Sequence, residues 1–339
     1  MGAGASKAVG LPTLRELQEG VIAGLGSSDK ELVVPLFKEK NLEEVLTHLR
    51  LLKTVLRSGQ ELEGLDLKRA ADLDAKICGS ITVQVSTNVP QLEPFVRFAS
   101  WLARGNYSKA IEVFSINYDT LIERGLETVG APYFDGFVGN IDAPFRADLV
   151  DGGLASVALP SGWARLWKLH GSINWFYEGK GDVTHVVRSA QASSGRNVAI
   201  YPSSEKYEES RRVPFVVLFD RFRRALSEPE TVLLTTGYSF GDQHINEVIF
   251  DAAIRHPRSE TIAFCHGGIP AVLSKQAART PNISVYAPKS FISSGTDAKW
   301  ASSPEINGIW KGDAFLLGDF DHLATFLIGK STWTDPKEP

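Results

Sequence analysis

Cysteine is almost missing from this sequence: only Cys78 and Cys265 occur among 339 residues, far apart and in no CxxC pair. That excludes a disulfide framework and a zinc ribbon, and it leaves both thiols as small core residues. Long apolar runs are lacking too. None reaches the roughly 18 residues that span a bilayer, and the N-terminus does not follow the basic-then-apolar layout of a secretory signal, so a cytoplasmic protein with no membrane partner is expected. Excess positive charge is the third absence. The formal net charge is −4, which gives no general pull toward nucleic acid. No GxxxxGK(S/T) motif occurs, so any ATPase activity would have to come from a partner.

The apolar content, 43%, is enough for a large buried core. Residues 20–108 read as a mainly helical block. Its strongest helix runs from Asn41, with Glu44 at the capping-box position, and carries Leu42, Val45, Leu46, Leu49, Leu52 and Leu56 on one face before Gly59. Further helices are expected over Leu65–Val85 and Gln91–Ala103. Beyond residue 108, strand-like runs at Ile111–Ile116, Arg165–Leu169, Val183–Val187, Val198–Tyr201, Thr231–Thr236, Thr261–Cys265 and Ile283–Tyr286 alternate with helical ones. The expected helices are Asp119–Val129, Phe215–Leu226, Asn246–Arg255, Pro270–Ala278 and His322–Leu327. This alternation predicts an α/β fold with a Rossmann-like, doubly wound parallel sheet: one domain over 1–339, with the 20–108 helical module inserted in it. Residues 139–162 and 287–313 read as loops and the tail from Lys330 as polar, with no internal repeat.

Polar motifs sit where the predicted strands end. In an open parallel sheet such residues converge on the crevice at the carboxyl ends of the strands. Asn117 and Asp119 follow the first strand in SINYD, His170 and Gly171 close the second in KLHG, and Gly237 and Ser239 end the third, VLLTTG, with Asp242 after them in GYSFGD. Each has a plainer reading: Asp119 as a helix cap, His170 as a structural histidine, Gly237 and Ser239 as turn chemistry. Their coincidence at three strand ends favours one shared site. The opening Gly2-Ala3-Gly4-Ala5-Ser6 reads as a turn whose N–H groups form an anion nest ahead of a helix. Such a turn normally leaves a β-strand, and here Gly2 directly follows Met1. Either that strand lies upstream of the residues given, or another strand takes its place.

Taken together, these motifs resemble those of sirtuins. GAGAS followed by GLPTLR is similar to the glycine turn and Gly-Ile-Pro-x-Phe-Arg stretch, SINYD to Thr-Gln-Asn-x-Asp, LHG to the catalytic His-Gly, and GYSFGD to the Gly-x-Ser strand end that contacts the cofactor. The resemblance covers about residues 2–245. It implies that Gly2, Ala3, Gly4 and Ser6 hold the pyrophosphate of NAD, with Arg15 over the nicotinamide ribose. Asn117 and Asp119 would face that ribose, His170 would bind its hydroxyls and act as base, and Gly237 and Ser239 would lie along the adenosine half.

The departures redirect the expectation. The four-cysteine zinc module of deacylating sirtuins has no counterpart, so no zinc is expected. Ile116 replaces the motif glutamine, and Thr13 and Leu14 replace the loop aspartate and phenylalanine, which counts against acyl-lysine recognition. The chain looks more like the bacterial sirtuin-like proteins of anti-phage defence that hydrolyse NAD. That resemblance implies homo-oligomers and a HerA-type ATPase partner. A protein deacylase using the same cofactor, and a catalytically idle nucleotide-sensing scaffold, are the alternatives. Zinc chelation is expected to leave the thermal midpoint unchanged, and stoichiometric zinc in the pure protein, measured by elemental analysis, would contradict this reading.

Overall fold

The structure, a computed structural model, describes residues 1–57, 59–86, 91–105, 109–151, 163–180, 183–189, 198–200, 213–301 and 309–329. In chain order its elements begin with helices α1 (Ala3–Lys7), α2 (Leu14–Gly24), α3 (Ser27–Phe37) and α4 (Leu42–Val55), followed by a short hairpin of β1 (Glu61–Leu62) and β2 (Leu65–Asp66), then α5 (Leu67–Val85) and α6 (Glu93–Arg104). Next come β3 (Ile111–Ser115), α7 (Leu121–Thr128), β4 (Tyr133–Phe134), β5 (Asp142–Pro144), α8 (Ala147–Asp151), β6 (Ala164–Lys168), β7 (Gly171–Lys180), β8 (Val183–Ser189) and β9 (Val198–Ile200). The C-terminal part holds α9 (Phe215–Ser227), β10 (Val232–Thr235), α10 (Gln243–Arg255), β11 (Glu260–Phe264), α11 (Ala271–Ala277), β12 (Ile283–Tyr286), β13 (Ser290–Ser293), β14 (Thr296–Lys299), β15 (Trp310–Lys311), β16 (Ala314–Phe315) and α12 (Phe320–Leu327).

The fold is mixed α/β with parallel strands at its centre. One parallel sheet has the order β3-β6-β4, and β10, β11 and β12 form a second parallel set that β13 and β14 extend antiparallel. Two strand-like runs of the sequence do not join the parallel layer. β8 and β9 instead pair antiparallel with β7, the strand that sequence periodicity did not reveal. The reason lies in β7: Trp175 and Phe176 are both buried although adjacent, so the period-2 signal of a half-exposed strand is absent. The stretch 287–313, read as a loop, contains the β13–β14 hairpin. Its Ser294-Gly295 turn has both residues at positive φ, the two-residue geometry that matches strand twist. In 139–162, β5 and α8 occupy the first part, while 152–162, Tyr201 and the tail from Lys330 lie outside the described residues.

Capping starts the helices as local chemistry requires. Asn41 Oδ1 accepts from Glu44 N at 2.9 Å while Glu44 Oε2 accepts from Asn41 N at 2.7 Å, closing the box at the head of α4. Leu42, Val45, Leu46, Leu49 and Leu52 are then buried against Leu17, Val21, Leu73, Ile77 and Ile81 of α2 and α5. Each such burial contributes roughly 1.5–3 kcal/mol of gross transfer free energy. Helix α6 does not share this core. Its Phe95, Phe98 and Leu102 pack with Leu121 and Leu126 of α7 and Phe320 of α12 on the parallel sheet, so the 20–108 stretch divides between two cores.

Beneath the sheet, Glu112 of β3 accepts from Trp167 Nε1 at 2.7 Å and Arg221 Nε at 2.8 Å, and Arg165 Nη1 lies 3.4 Å away. One carboxylate is thus shared by two buried guanidinium groups and ties β3, β6 and α9 together. Glu112→Ala removes the carboxylate that these two buried cations share, and a loss of about 3–5 kcal/mol in denaturant unfolding is expected.

Candidate functional site

A cavity of about 520 Å³ opens at the carboxyl ends of β3, β10 and β11. That is the volume range of small-molecule and cofactor sites, and it lies where ligands bind in α/β sheets. Gly2, Ala3, Gly4, Ser6, Arg15, Asn117, Asp119, Gly237 and Ser239 all line it. Helix α2 and the end of α5 supply an apolar wall of Leu14, Leu17 and Val85. Thr13, the N-cap of α2, completes a capping box with Glu16, whose carboxylate also accepts from Lys7 Nζ. The Lys7 bond, followed by those from Thr13, pulls the Glu16 carboxyl down to about 2. Arg15 stands at the mouth, exposed, with Nε 3.2 Å from Glu19 Oε1.

The glycine turn is held by backbone contacts. Gly2 N donates to Thr236 O at 3.1 Å, Gly4 N to Gly237 O at 2.9 Å and Ala5 N to Gly2 O at 2.9 Å. Three N–H groups of the expected anion nest are therefore already used, and the turn offers a ligand fewer donors than its sequence implies. The glycines serve this closure. A Cβ on Gly4 would lie 2.8 Å from Gly237 Cα, and one on Gly237, which has φ +62°, would lie 2.1 Å from Ala5 N.

Asn117 is 7% exposed, and its Nδ2 donates to Gly2 O at 3.1 Å and Ser6 Oγ at 2.9 Å. Ser6 Oγ in turn donates to Asp119 Oδ2 at 2.6 Å, and Asp119 Oδ1 accepts from Leu121 N at 3.1 Å. Asp119 thus accepts from the first backbone N–H of α7 and orders Ser6 with the same carboxylate. Asn117 Oδ1 is buried without a hydrogen-bond partner. Tyr118, between them, points the other way into the helical core, where its carbonyl accepts from Ile173 N and Ser172 Oγ. Behind the loop, Lys168 Nζ donates to the Asp119 carbonyl and lies 3.3 Å from Glu123 Oε1. Burial raises the Glu123 carboxyl and Lys168 partly offsets it.

The structure does not bring His170 onto this cavity. At 1% exposure it stacks on Phe219, with ring centroids 6.5 Å apart, and its Nε2 lies 3.2 Å from Asp242 Oδ2. Asp242 caps α10, accepting from His244 N at 2.8 Å and Ile245 N at 3.2 Å. Burial pushes this carboxyl up, but the nearby His170 ring and the two backbone N–H groups outweigh it and hold it below the ordinary carboxylate range. The physical reason for the placement is that α9 and α10 converge on the end of β6 and enclose the ring between them.

Sequence reading missed the third wall. Phe264, Cys265, His266, Gly267, Gly268 and Pro270, from the β11–α11 connection, also line the cavity. Its signal was present: a β-run ending at Cys265, then Gly-Gly and a proline opening a helix. Burial pushes the Cys265 thiol up to about 11, so it faces the site as a neutral group. Among the described residues no group of three or more His, Cys, Asp or Glu side chains is arranged to hold a metal ion, and no helix is long and apolar enough to cross a membrane.

Residues 111–284, just over half of the chain, match the family described as SIR2-like domain. No curated protein matches the chain. The matched segment begins with β3 and ends in β12, so it carries Asn117, Asp119, His170, Gly237 and Ser239, whereas the glycine turn and the helices α2–α5 precede it.

Two outcomes follow from this geometry. Gly237→Ala places a methyl group in the turn backbone at a left-handed φ and is expected to cost more than about 2 kcal/mol in urea unfolding. For Asp242, whose folded pKa is depressed, the stabilising contribution is complete above the ordinary carboxylate value of about 3.9 and is lost as pH falls through the lower folded value. Asp242→Asn should therefore flatten the acid limb of stability against pH, measured by denaturant unfolding between about pH 5 and pH 2.

Proposed function

The chain belongs to the SIR2-like domain family, and on that premise we propose that it is an NAD glycohydrolase, splitting NAD into nicotinamide and ADP-ribose. A SIR2-like domain is compatible with NAD-related activity. The observation that carries the finer reading is the Asn117 side chain: an amide pinned by two hydrogen bonds from its Nδ2, with a buried, unpartnered Oδ1 on a cavity at three strand ends. A buried acceptor left unmatched costs about 1–3 kcal/mol, a cost that a donor on a bound ligand or an attacking water would relieve.

In this reaction the bond between ribose C1′ and the nicotinamide nitrogen breaks with its electron pair leaving on nicotinamide, and water adds to C1′ and gives up a proton. The leaving group is cationic before cleavage, so no general acid is needed. What accelerates the step is orientation of water and ribose against the developing oxocarbenium charge. Asn117 Oδ1 would orient that water, and the Asp119–Ser6 pair would keep Asn117 in place. The adenosine half would extend along Gly237, Ser239 and the His266–Gly268 loop, with Arg15 at the mouth over the nicotinamide ribose. His170 would act from behind the cavity, through Asp242 and the GYSFGD turn, as a positioning residue. We extend the reading to the role that the motifs imply: NAD depletion in bacterial anti-phage defence, by a cytoplasmic homo-oligomer working with a HerA-type ATPase.

Release of nicotinamide and ADP-ribose from NAD by the purified chain, alone and with such an ATPase, tests the reaction. Asn117→Ala is expected to reduce turnover at least about a hundredfold with the fold intact by circular dichroism. Nicotinamide release that requires an acyl-lysine peptide would identify a deacylase instead. For His170→Ala, a positioning role predicts lost turnover without loss of an ionisation from the kcat pH profile.

A further inference from the structure

The Asn117–Asp119 loop leaves β3 where the strand ladder stops, and donors from the β6–β7 segment take over its backbone. Ser115, the last residue of β3, pairs with Lys168, the last of β6, and Leu169 N donates to Ser115 O at 2.9 Å. Two residues on, Ile173 N and Ser172 Oγ hold the carbonyl of Tyr118 at 3.0 and 3.2 Å. The Asp119 carbonyl comes next. It lies one residue before Thr120, the N-cap of α7, and so stands outside the helical ladder; the donor it receives is the Lys168 ammonium.

A neutral donor would satisfy that carbonyl at less cost, because a buried ammonium has to be matched by a buried anion. Lys168 is 3% exposed, and its match, Glu123 of α7, is buried as well, with Oε1 3.3 Å from Nζ and Oε2 without a hydrogen-bond partner. The neighbouring carboxylate, Asp135, has a cation of its own: Arg188 Nε lies 2.9 Å from its Oδ2. What the charge adds is strength, since a charge-assisted hydrogen bond is about twice as strong as a neutral one. Neither Lys168 nor Glu123 lines the cavity, so the pair reaches a bound molecule through the loop. The path is short. The Asp119 carboxylate accepts from Ser6 Oγ at 2.6 Å, and that oxygen accepts from Asn117 Nδ2 at 2.9 Å.

We propose that Lys168 is a positioning residue: it holds the Asp119 carbonyl and, through Asp119 and Ser6, the Asn117 amide, with Glu123 as its buried counter-ion. Its effect on turnover rests on the NAD hydrolysis proposed above; its effect on the loop does not. Orientation lost at Asn117 is lost in the transition state, so kcat falls while KM holds.

Lys168→Met alone leaves Glu123 buried without its cation and can unfold the chain, so the decisive variant combines Lys168→Met with Glu123→Gln, in which no charge is stranded. Two quantities are measured on this variant and on the parent: solvent exchange of the Asn117 side-chain amide protons, by NMR, and steady-state nicotinamide release. With an unchanged circular dichroism spectrum, the amide protons should exchange at least about tenfold faster. In the same variant kcat should fall at least about tenfold at a KM within about twofold of the parent's. Exchange equal to the parent's overturns the inference, whether or not the parent hydrolyses NAD. Faster exchange with unchanged kcat in an active parent overturns it as well, because Lys168 then serves the fold alone. A parent that releases no nicotinamide removes the hydrolase reading, and the exchange comparison then decides whether Lys168 holds Asn117.

Discussion

The architecture depends on one clasp: a four-residue stretch of backbone, Met1 to Gly4, wedged between the ends of β3 and β10. Hydrogen bonds to both sides hold it, and the absence of side chains on Gly2, Gly4 and Gly237 lets the backbones approach closely enough to form them. Two strand sets that share no direct rung are brought into register at this point alone among their described ladder bonds. The cavity at the strand ends exists because of it. Asn117 comes from one set, Gly237 and Ser239 from the other, and Ser6 stands between them on the helix that the clasp begins.

Buried ionic groups surround the clasp and are each matched. Glu112 answers Arg165 and Arg221, Lys168 answers Glu123, and Asp242 answers His170 and the head of α10. Such pairs add little net stability over apolar packing, but removing one member is costly because the other stays buried. Their effect is to fix where strand ends and helix heads lie. The polar loop Asn117–Asp119 is fixed in the same way from both directions, since Tyr118 is anchored in the helical core while its neighbours are held by the glycine turn.

Much of this was legible in the sequence, for reasons that residues make plain. The leucine stripe of α4 and its Asn41–Glu44 cap are local signals, and local signals survive folding unchanged. The strand-end motifs were readable because β3, β6 and β10 are short apolar runs with abrupt polar ends. Position within a polar cluster was less legible. Whether His170 faces the cavity or the space between α9 and α10 depends on helix packing that its own neighbours do not encode. The glycine turn misled in a different way: glycines that permit close approach look identical whether the approaching group is a phosphate or, as with Gly237, another piece of backbone. Strand β7 hid because both of its faces are covered.

The cavity's two sides belong to different cores. Its polar floor rests on the sheet, while Leu14, Leu17 and Val85 rest on the helical cluster, with Lys7–Glu16 as a surface tie between them. The width of the opening is therefore a property of how the helical cluster leans on the sheet, with Tyr118 and Ile173 as the points where the two interlock. Substitutions on the contact face of the helices could retune what enters while every strand-end residue stays in place, so entry selectivity and the chemistry at the floor are free to evolve at different rates.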